Sequence, residues 1–226
     1  MFYLDFLSRL HELLQPRTYL EIGVSRGASL SISRCRSIGV DPAFSVDHEL
    51  LAPVSLVRAT SEDFFGRLDR SGVRPFGATP VDLAFIDGLH HFEFALDDFI
   101  NVERFSAPTS VIVFDDIFPR DVAEAARAIR DVDWTGDVFR IPGALAAHRP
   151  DLRIMAVDTA PTGLLVVSSL DPSSKVLPEL RDELVRETVK PDPQDVPAAV
   201  FAREGSLSPD EVLRLDLWKG LRYCRS

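Results

Sequence analysis

The sequence has few cysteines, no clustered basic residues and no long apolar run. Only Cys35 and Cys224 are cysteines, and neither belongs to a CxxC pair, which argues against a disulfide framework and a zinc site. The formal net charge is −10 and no run of lysine and arginine occurs, so nucleic acid is not expected as a partner. No window has the length of a membrane span, and the N-terminal residues lack the pattern of a signal peptide. We therefore expect a cytoplasmic protein without a membrane partner.

What the sequence does contain is the composition of one sizeable globular domain. Its 226 residues are 46% hydrophobic and 27% charged, which suits one large α/β domain and is rather short for two. We predict one domain over residues 1–186, beginning with an amphipathic helix. Residues 187–226 are predicted to form a proline-rich linker and a C-terminal helix.

Apolar strands alternate with amphipathic helices along the chain. The predicted strands are 18–24, 37–41, 54–59, 81–87, 110–116, 152–158 and 163–169. The predicted helices are 2–15, a short helix from about residue 28, 61–68, 91–105, 120–131 and 208–223. This alternation predicts a doubly wound, mostly parallel seven-stranded sheet with helices on both faces. The short turn before the last strand predicts that this strand runs antiparallel to its neighbour.

The first predicted strand ends in the motif EIGVSRG, which contains Glu21, Gly23 and Gly27. A glycine turn at this point lets a ligand approach the backbone and places it at the N-terminus of the next helix. Asp41 ends the second strand, where a carboxylate can accept hydrogen bonds from a ribose diol. The first half of the chain is therefore predicted to bind an adenosine group.

Three kinds of site compete for this motif. A dinucleotide site needs G-x-G-x-x-G, and Ser25 and Ala28 replace two of those glycines. A hydrolase nucleophile elbow needs G-x-S-x-G, which residues 23–27 match, but that elbow follows several earlier strands and here only a helix precedes it. The third pattern, acid-x-G-x-x-x-G for S-adenosylmethionine (SAM), is matched by Glu21, Gly23 and Gly27. We favour the SAM site.

The segments EIGVSRG, GVDP, FIDGLHHF and VIVFDD, in this order, resemble the class I SAM-dependent O-methyltransferases. The similarity is greatest to the metal-assisted sugar and phenol O-methyltransferases of natural-product pathways, and it covers roughly residues 15–170. It implies SAM as cofactor and a hydroxyl group of a small molecule as methyl acceptor. The cofactor residues that it implies are Glu21, Gly23, Ser25 and Gly27 in the glycine turn, Asp41 at the ribose, Ser61 near the adenine, and Asp87.

Three acidic residues follow two predicted strands: Asp87 ends the fourth, and Asp115 and Asp116 end the fifth. In doubly wound order these strands are adjacent, so the three carboxylates are expected to converge beside the cofactor. Crowded carboxylates repel one another unless a cation or a proton lies among them, and oxygen ligands suit Mg²⁺. Such an ion would help to ionise an acceptor hydroxyl. The alternative is that these residues only form a turn and a helix cap.

Two histidines follow this turn. His90 is predicted to be a general base or a further ligand, because an unperturbed histidine titrates near neutral pH; His91 is a weaker candidate. Asp87 and His90 are thus the predicted catalytic residues. Phe118 and Pro119 are predicted to line the acceptor site.

Other functions remain open from the sequence alone: a metal-independent methyltransferase, an NAD-type oxidoreductase, or a SAM-binding protein without turnover. The C-terminal helix carries an apolar stripe that includes Trp218. We expect this helix to pack onto the domain or onto a second subunit, which would give a homodimer.

Overall fold

A seven-stranded sheet forms the centre of the computed structural model, which describes residues 1–129 and 134–221. Its strands are β1 Thr18–Ile22, β2 Arg36–Val40, β3 Val54–Val57, β4 Val81–Ile86, β5 Ser106–Phe114, β6 Arg153–Val157 and β7 Leu164–Ser168. Their order in the sheet is β3-β2-β1-β4-β5-β7-β6. Strands β1 to β5 pair in parallel, whereas β7 is antiparallel to both β5 and β6. The predicted doubly wound α/β fold is confirmed.

Eight α-helices surround the sheet within the described residues. They are α1 Tyr3–Leu14, α2 Ser61–Ser71, α3 Phe92–Glu103, α4 Ile141–His148, α5 Val176–Thr188, α6 Ala198–Phe201, α7 Pro209–Leu213 and α8 Leu217–Leu221. Short 3₁₀ turns cover Leu30–Ile32 and Val138–Arg140. No helix in this part of the chain is both long and apolar enough to cross a membrane.

Each face of the sheet packs against its own group of helices. Because successive side chains of a strand point to opposite faces, Leu20 and Ile112 join the core under α2, α3, α4 and α5. Tyr19 and Val111 join the core under α1, α7 and α8 on the other face. Strands covered in this way are apolar on both sides, which is why the apolar runs of the sequence identify them.

The predicted helix 120–131 is wrong over its described part, where the chain forms turns. Val122 and Ile129, which should have faced inward, are exposed. The cause is competition for the backbone groups of a helix. The Arg127 and Ala128 N–H groups donate to the carboxylate of Asp192 at 2.9 and 3.1 Å, so they do not bond to carbonyls four residues earlier. Residues 130 and 131 of this prediction lie outside the described part.

The C-terminal segment also differs from the prediction. The expected linker contains α6 and begins with the end of α5, and the expected single helix is two short helices, α7 and α8. Ser208 and Glu211 form a reciprocal capping box at the start of α7. Trp218 is buried and its indole Nε1 donates to the Val212 carbonyl at 2.6 Å. The apolar stripe of this segment therefore covers α1 of the same chain. Residues 222 and 223 of the predicted helix are outside the described residues.

One further contact joins this segment to the sheet. Leu207 lies beside β6, the last strand of the sheet, where its N–H donates to the Ala156 carbonyl at 2.9 Å. Its own carbonyl accepts from the Asp158 N–H, also at 2.9 Å. Residue 207 thus continues the sheet for one residue beyond β6.

Candidate active site

A cavity of about 620 Å³ lies at the carboxyl ends of β1, β2 and β4; we call it the cofactor cavity. Six of the predicted site residues line it: Gly23, Ser25, Asp41, Ser61, Asp87 and His90. The other lining residues are Ile22, Val40, Pro42, Thr60, Glu62, Gly88, Leu89 and Phe94. This volume is in the range of small-molecule sites.

At the inner end of this cavity the backbone at Gly23 crosses close to the backbone at Asp87. Gly23 has φ +86°, and a Cβ atom on it would lie 1.7 Å from the carbonyl oxygen of Asp87. The Asp87 N–H in turn donates to the Ile22 carbonyl at 2.8 Å. A residue with a side chain therefore does not fit here, and the glycine brings Asp87 directly against the end of β1.

Asp41 shapes the glycine turn from the end of β2. Its Oδ2 accepts from the backbone N–H groups of Val24 and Ser25 at 2.9 and 2.8 Å, and its Oδ1 accepts from the Ala43 N–H at 2.6 Å. A carboxylate can accept about four hydrogen bonds, so one acceptor position is left for a ligand hydroxyl. Asp41 both holds the turn and faces the cavity.

A buried acid lies beneath the cofactor cavity. Asp98 of α3 is 3% exposed, and a Cβ atom on Gly88 would lie 3.6 Å from its Oδ2. Burial raises the pKa of Asp98 to about 7, although a hydrogen bond from Ser61 opposes this. Ser61 thus lines the cavity wall and also forms a hydrogen bond with the buried Asp98.

Phe94 lines the cofactor cavity and is a site residue that the sequence analysis did not select. Its neighbours on α3, Phe92 and Phe99, are core residues. The helical spacing of Phe94 was the available signal, since it lies between the apolar face of α3 and the polar one.

Two residues of the glycine motif lie elsewhere. Glu21 is fully buried and accepts hydrogen bonds from the Tyr19 hydroxyl at 2.5 Å and the Ser29 hydroxyl at 2.9 Å. Burial raises the pKa of Glu21 to about 8 against these hydrogen bonds. Gly27 faces Val46, whose methyl would lie 2.9 Å from an added Cβ atom. Neither residue is among those that line the cofactor cavity, and both stabilise the turn from outside it.

Asp87, His90 and Asp116 come together at one end of this cavity, and we call them the acidic cluster. The imidazole Nε2 of His90 is 3.3 Å from Asp87 Oδ1, and its Nδ1 is 3.1 Å from Asp116 Oδ2. One ligand atom from each residue lies within 4.8 Å of the other two. The structure therefore brings together two of the three predicted carboxylates with the predicted histidine.

Asp115 is not a member of this cluster. Its Oδ1 accepts from the Asp116 N–H at 2.8 Å and from the Thr162 hydroxyl at 3.4 Å. Asp116 has a left-handed backbone conformation with φ +65°, which turns the two neighbouring side chains in different directions. Asp115 thus supports the backbone of Asp116 from below the cluster.

The acidic cluster concentrates negative charge in a buried place. Burial raises the pKa of Asp116 to about 7, with the charge of His90 lowering it and that of Asp87 raising it. Burial and the charges of Asp116 and Asp87 raise the pKa of Asp115 well above its usual range. For His90, burial lowers the pKa, but the hydrogen bond to Asp87 and the charge of Asp116 outweigh it, giving about 9. The cluster thus favours a bound proton or cation.

The loop of residues 134–137 is distant from His90 in the sequence but lies beside it in the structure, and it holds His90 in place. The Trp134 carbonyl lies 2.6 Å from His90 Nδ1, and the indole ring stacks on the imidazole at 5.1 Å. The Asp137 N–H donates to the His90 carbonyl at 3.1 Å, and a Cβ atom on Gly136 would lie 1.6 Å from that carbonyl oxygen. His91 instead directs Nε2 to the Arg127 carbonyl at 2.8 Å. Only His90 of the two histidines joins the cluster.

Tyr3 lies near the acidic residues of the site, although the sequence analysis did not select it. Its ring stacks on Phe85 at 6.3 Å, and its N–H donates to the Ala160 carbonyl at 3.0 Å. Burial and then the charges of Asp87 and Asp115 raise the pKa of Tyr3 well above its usual range. The first helix therefore brings a phenol to the acidic side of the site, although no sequence pattern links residue 3 to residue 87.

Phe118 lines a second cavity of about 480 Å³, which we call the side cavity. His148 also lines it, and Pro119 is not among its lining residues. One of the two residues predicted to line an acceptor site thus lies at a cavity next to the acidic cluster.

Comparisons with known proteins agree with this geometry. Residues 20–117 match the model of a methyltransferase-domain family. The O-methyltransferase TomG from Streptomyces achromogenes, solved with SAM, is 21% identical over 75% of this chain and 80% of its own, with a TM-score of 0.57. The O-methyltransferase from Bacillus cereus, solved with S-adenosylhomocysteine (SAH), is 20% identical over 74% of this chain and 80% of its own, with a TM-score of 0.53. No curated protein matches the chain.

The likeness to these structures concerns the fold, and the family match covers the strands and turns that build the cofactor cavity. Residues 20–117 are therefore similar to a methyltransferase domain, and the chain has the fold of the solved O-methyltransferases.

Proposed function

We propose that this protein transfers the methyl group of SAM to a hydroxyl oxygen of a small molecule with the help of a divalent cation. The observation that carries the proposal is that Asp87 and His90 belong both to the cofactor cavity and to the acidic cluster. A methyl donor and an ionising group are therefore side by side. TomG, which acts in tomaymycin synthesis, supports a natural-product acceptor.

The cofactor cavity fits SAM by its donor set and its shape. Asp41 has an acceptor position left for a ribose hydroxyl, and Gly23 leaves room for close approach to the backbone. Leu89 and Phe94 supply apolar surface for the adenine, with Ser61 at its edge. When bound, SAM supplies a methyl group on a positively charged sulfur, which an oxygen nucleophile attacks.

The acidic cluster fits a hard divalent cation such as Mg²⁺. Asp87, His90 and Asp116 offer two carboxylate oxygens and one imidazole nitrogen within 4.8 Å of one another, and such oxygen-rich sets suit Mg²⁺ or Mn²⁺. When bound, the cation supplies Lewis acidity that lowers the pKa of an acceptor hydroxyl. Asp115 orients Asp116 by accepting a hydrogen bond from the Asp116 N–H.

The proton of the acceptor must leave as its oxygen attacks the methyl carbon. Because the pKa of His90 is about 9, its imidazole is protonated at neutral pH when no cation is bound, and the carboxylates of Asp87 and Asp116 beside it are the groups that can accept the proton. The stacked Trp134 ring and the Trp134 carbonyl keep the imidazole in this position. The same arrangement would serve a metal-free enzyme, which is the second candidate function.

Calorimetry with SAM tests the cofactor assignment. Asp41→Ala should weaken SAM binding by roughly 1.5–3 kcal/mol, the value of a hydrogen bond to a charged group. Asp41→Asn keeps an acceptor for the turn and separates loss of charge from loss of the turn. Asp182→Ala, whose side chain is 91% exposed on α5, is the matched control. Absence of heat and of a thermal shift at millimolar SAM would refute the cofactor assignment.

Asp116→Asn and a chelator test the metal. The variant should bind SAM nearly as well as the wild type but lose most turnover in an acceptor screen. Mg²⁺ or Mn²⁺ should raise the melting temperature of the wild-type protein and not that of the variant, which is a readout independent of activity. Full turnover in EDTA would establish the metal-free enzyme instead.

A further inference from the structure

The side cavity is separate from the cofactor cavity. It lies among α4, α5, α6 and the residues that follow β5, and within the described residues the two cavities share no lining residue. Most of its wall is apolar: Ile117, Phe118, Phe139, Ala144, Leu184 and Val200. Its volume of about 480 Å³ is that of a small-molecule site.

Two segments that line the side cavity directly follow, along the chain, residues that belong to the acidic cluster or contact it. Ile117 and Phe118 directly follow Asp116 in the chain. Phe139 and Arg140 follow Asp137, whose N–H donates to the His90 carbonyl. Because one residue advances the chain by at most about 3.6 Å, both walls start within roughly 11 Å of residues that touch the cluster. A molecule of two or three rings in length reaches from one to the other.

Arg140 is the unusual member of this cavity. Its Nη2 donates to Gln194 Oε1 at 3.0 Å, and its guanidinium lies 4.7 Å from the centre of the Phe139 ring. Its Nε is buried and has no hydrogen-bond partner, and Arg140 makes no ion pair with any described residue. Buried polar groups are normally satisfied, and this chain has 35 acidic against 25 basic residues. An arginine that lines a cavity and has no acidic partner among the described residues points to an anionic group of a ligand.

We propose that the side cavity binds the part of the methyl acceptor remote from its hydroxyl, and that this part is an aromatic ring carrying a carboxylate. The inference rests on the proposed function. Phe118 and Phe139 offer aromatic surface to the ring, and the planar guanidinium of Arg140 matches a carboxylate. Glu187 and Glu204, both exposed at the cavity, repel a phosphate dianion more strongly than a monoanion, which favours the carboxylate.

The test compares two probes that differ in charge, 3,4-dihydroxybenzoate and 3,4-dihydroxybenzamide. Binding of each is measured by calorimetry to the intact protein, alone and saturated with SAH so that no turnover occurs. The wild type should bind the benzoate about ten- to a hundred-fold more tightly than the benzamide, the range of a charge-assisted hydrogen bond. Arg140→Gln should remove this difference, and Ala199→Trp, which fills the cavity from α6, should weaken both probes.

Arg67→Gln on α2, an exposed arginine remote from the cavity, is the control and should bind both probes as the wild type does. Equal binding of the two probes by the wild type, no binding of either, or an unchanged preference in Arg140→Gln would overturn the inference. The SAH titration in the same series reports on the proposed function separately. Normal SAH binding without probe discrimination contradicts only the acceptor class, whereas loss of SAH and SAM binding contradicts the methyltransferase proposal itself.

Discussion

Replacing Gly23 by alanine tests the close crossing on which the cofactor cavity depends. The added Cβ atom would lie 1.7 Å from the carbonyl oxygen of Asp87 and 2.4 Å from its carbonyl carbon, at φ +86°. A left-handed backbone costs an L-residue about 1–2 kcal/mol, and forcing an atom into a packed region costs about 1–3 kcal/mol more. We therefore expect Gly23→Ala to lower the free energy of unfolding by about 2–5 kcal/mol.

Gly77→Ala provides the control for the backbone contribution. Gly77 has φ +66°, and a Cβ atom there would meet nothing within 4 Å. Gly77→Ala should therefore lower the free energy of unfolding only by the cost of the left-handed backbone, about 1–2 kcal/mol. Urea unfolding gives both free energies, and calorimetry gives SAM affinity. Gly23→Ala should weaken SAM binding at least about tenfold because Asp87 must move, and Gly77→Ala should leave it unchanged. Equal destabilisation of the two variants, or unaltered SAM affinity in Gly23→Ala, would refute the reasoning.

Three further predictions concern stability and assembly. Arg149→Met should cost about 3–5 kcal/mol, because it leaves the Glu103 carboxylate buried without its partner at 2.8 Å; Arg181→Met, at a half-exposed pair, should cost under about 1 kcal/mol in the same urea assay. Since burial raises the pKa of Glu21 from 4.5 to about 8, the stability contributed by its neutral form is complete below pH 4.5 and is lost as the pH rises through 8. Glu21→Gln should therefore flatten the fall in unfolding free energy between pH 5 and 9, and an unchanged slope would contradict this assignment. Light scattering should give the intact protein twice the mass of one chain if it forms the expected homodimer, and the mass of one chain would exclude it.

The fold could be predicted because its strands are buried on both faces. β1, β4 and β7 are buried along their whole length, so most of their residues are apolar, and the turn residues between them mark where each strand ends. Their alternation with helices then restricts the topology to a doubly wound sheet. The convergence of Asp87 and Asp116 follows from that topology, because both residues follow neighbouring parallel strands.

The rest of the site depends on packing between distant segments. Trp134 contacts His90, and Arg140 lines the side cavity. Tyr3 of the first helix lies near enough to Asp87 and Asp115 for their charges to raise its pKa. No local spacing in the sequence predicts these long-range contacts. The alanines near residue 125 have helical spacing, yet the carboxylate of Asp192, more than sixty residues away, takes the backbone donors of a helix. Glu21 has the position of a ligand residue in its motif, but the alternation of β1 directs it to the face that carries Tyr19.

The pairing of Leu207 beside β6 has a consequence for how the protein behaves when it is shortened. A sheet edge with free N–H and C=O groups is a template for pairing with other chains, and proteins cover or charge such edges to avoid aggregation. The carbonyl of Ala156 and the N–H of Asp158 are both occupied by Leu207. Removal of residues 205–226 would uncover this edge together with the apolar surface of α1. Truncated forms should therefore self-associate through their edges, and only the full chain gives an interpretable oligomeric state.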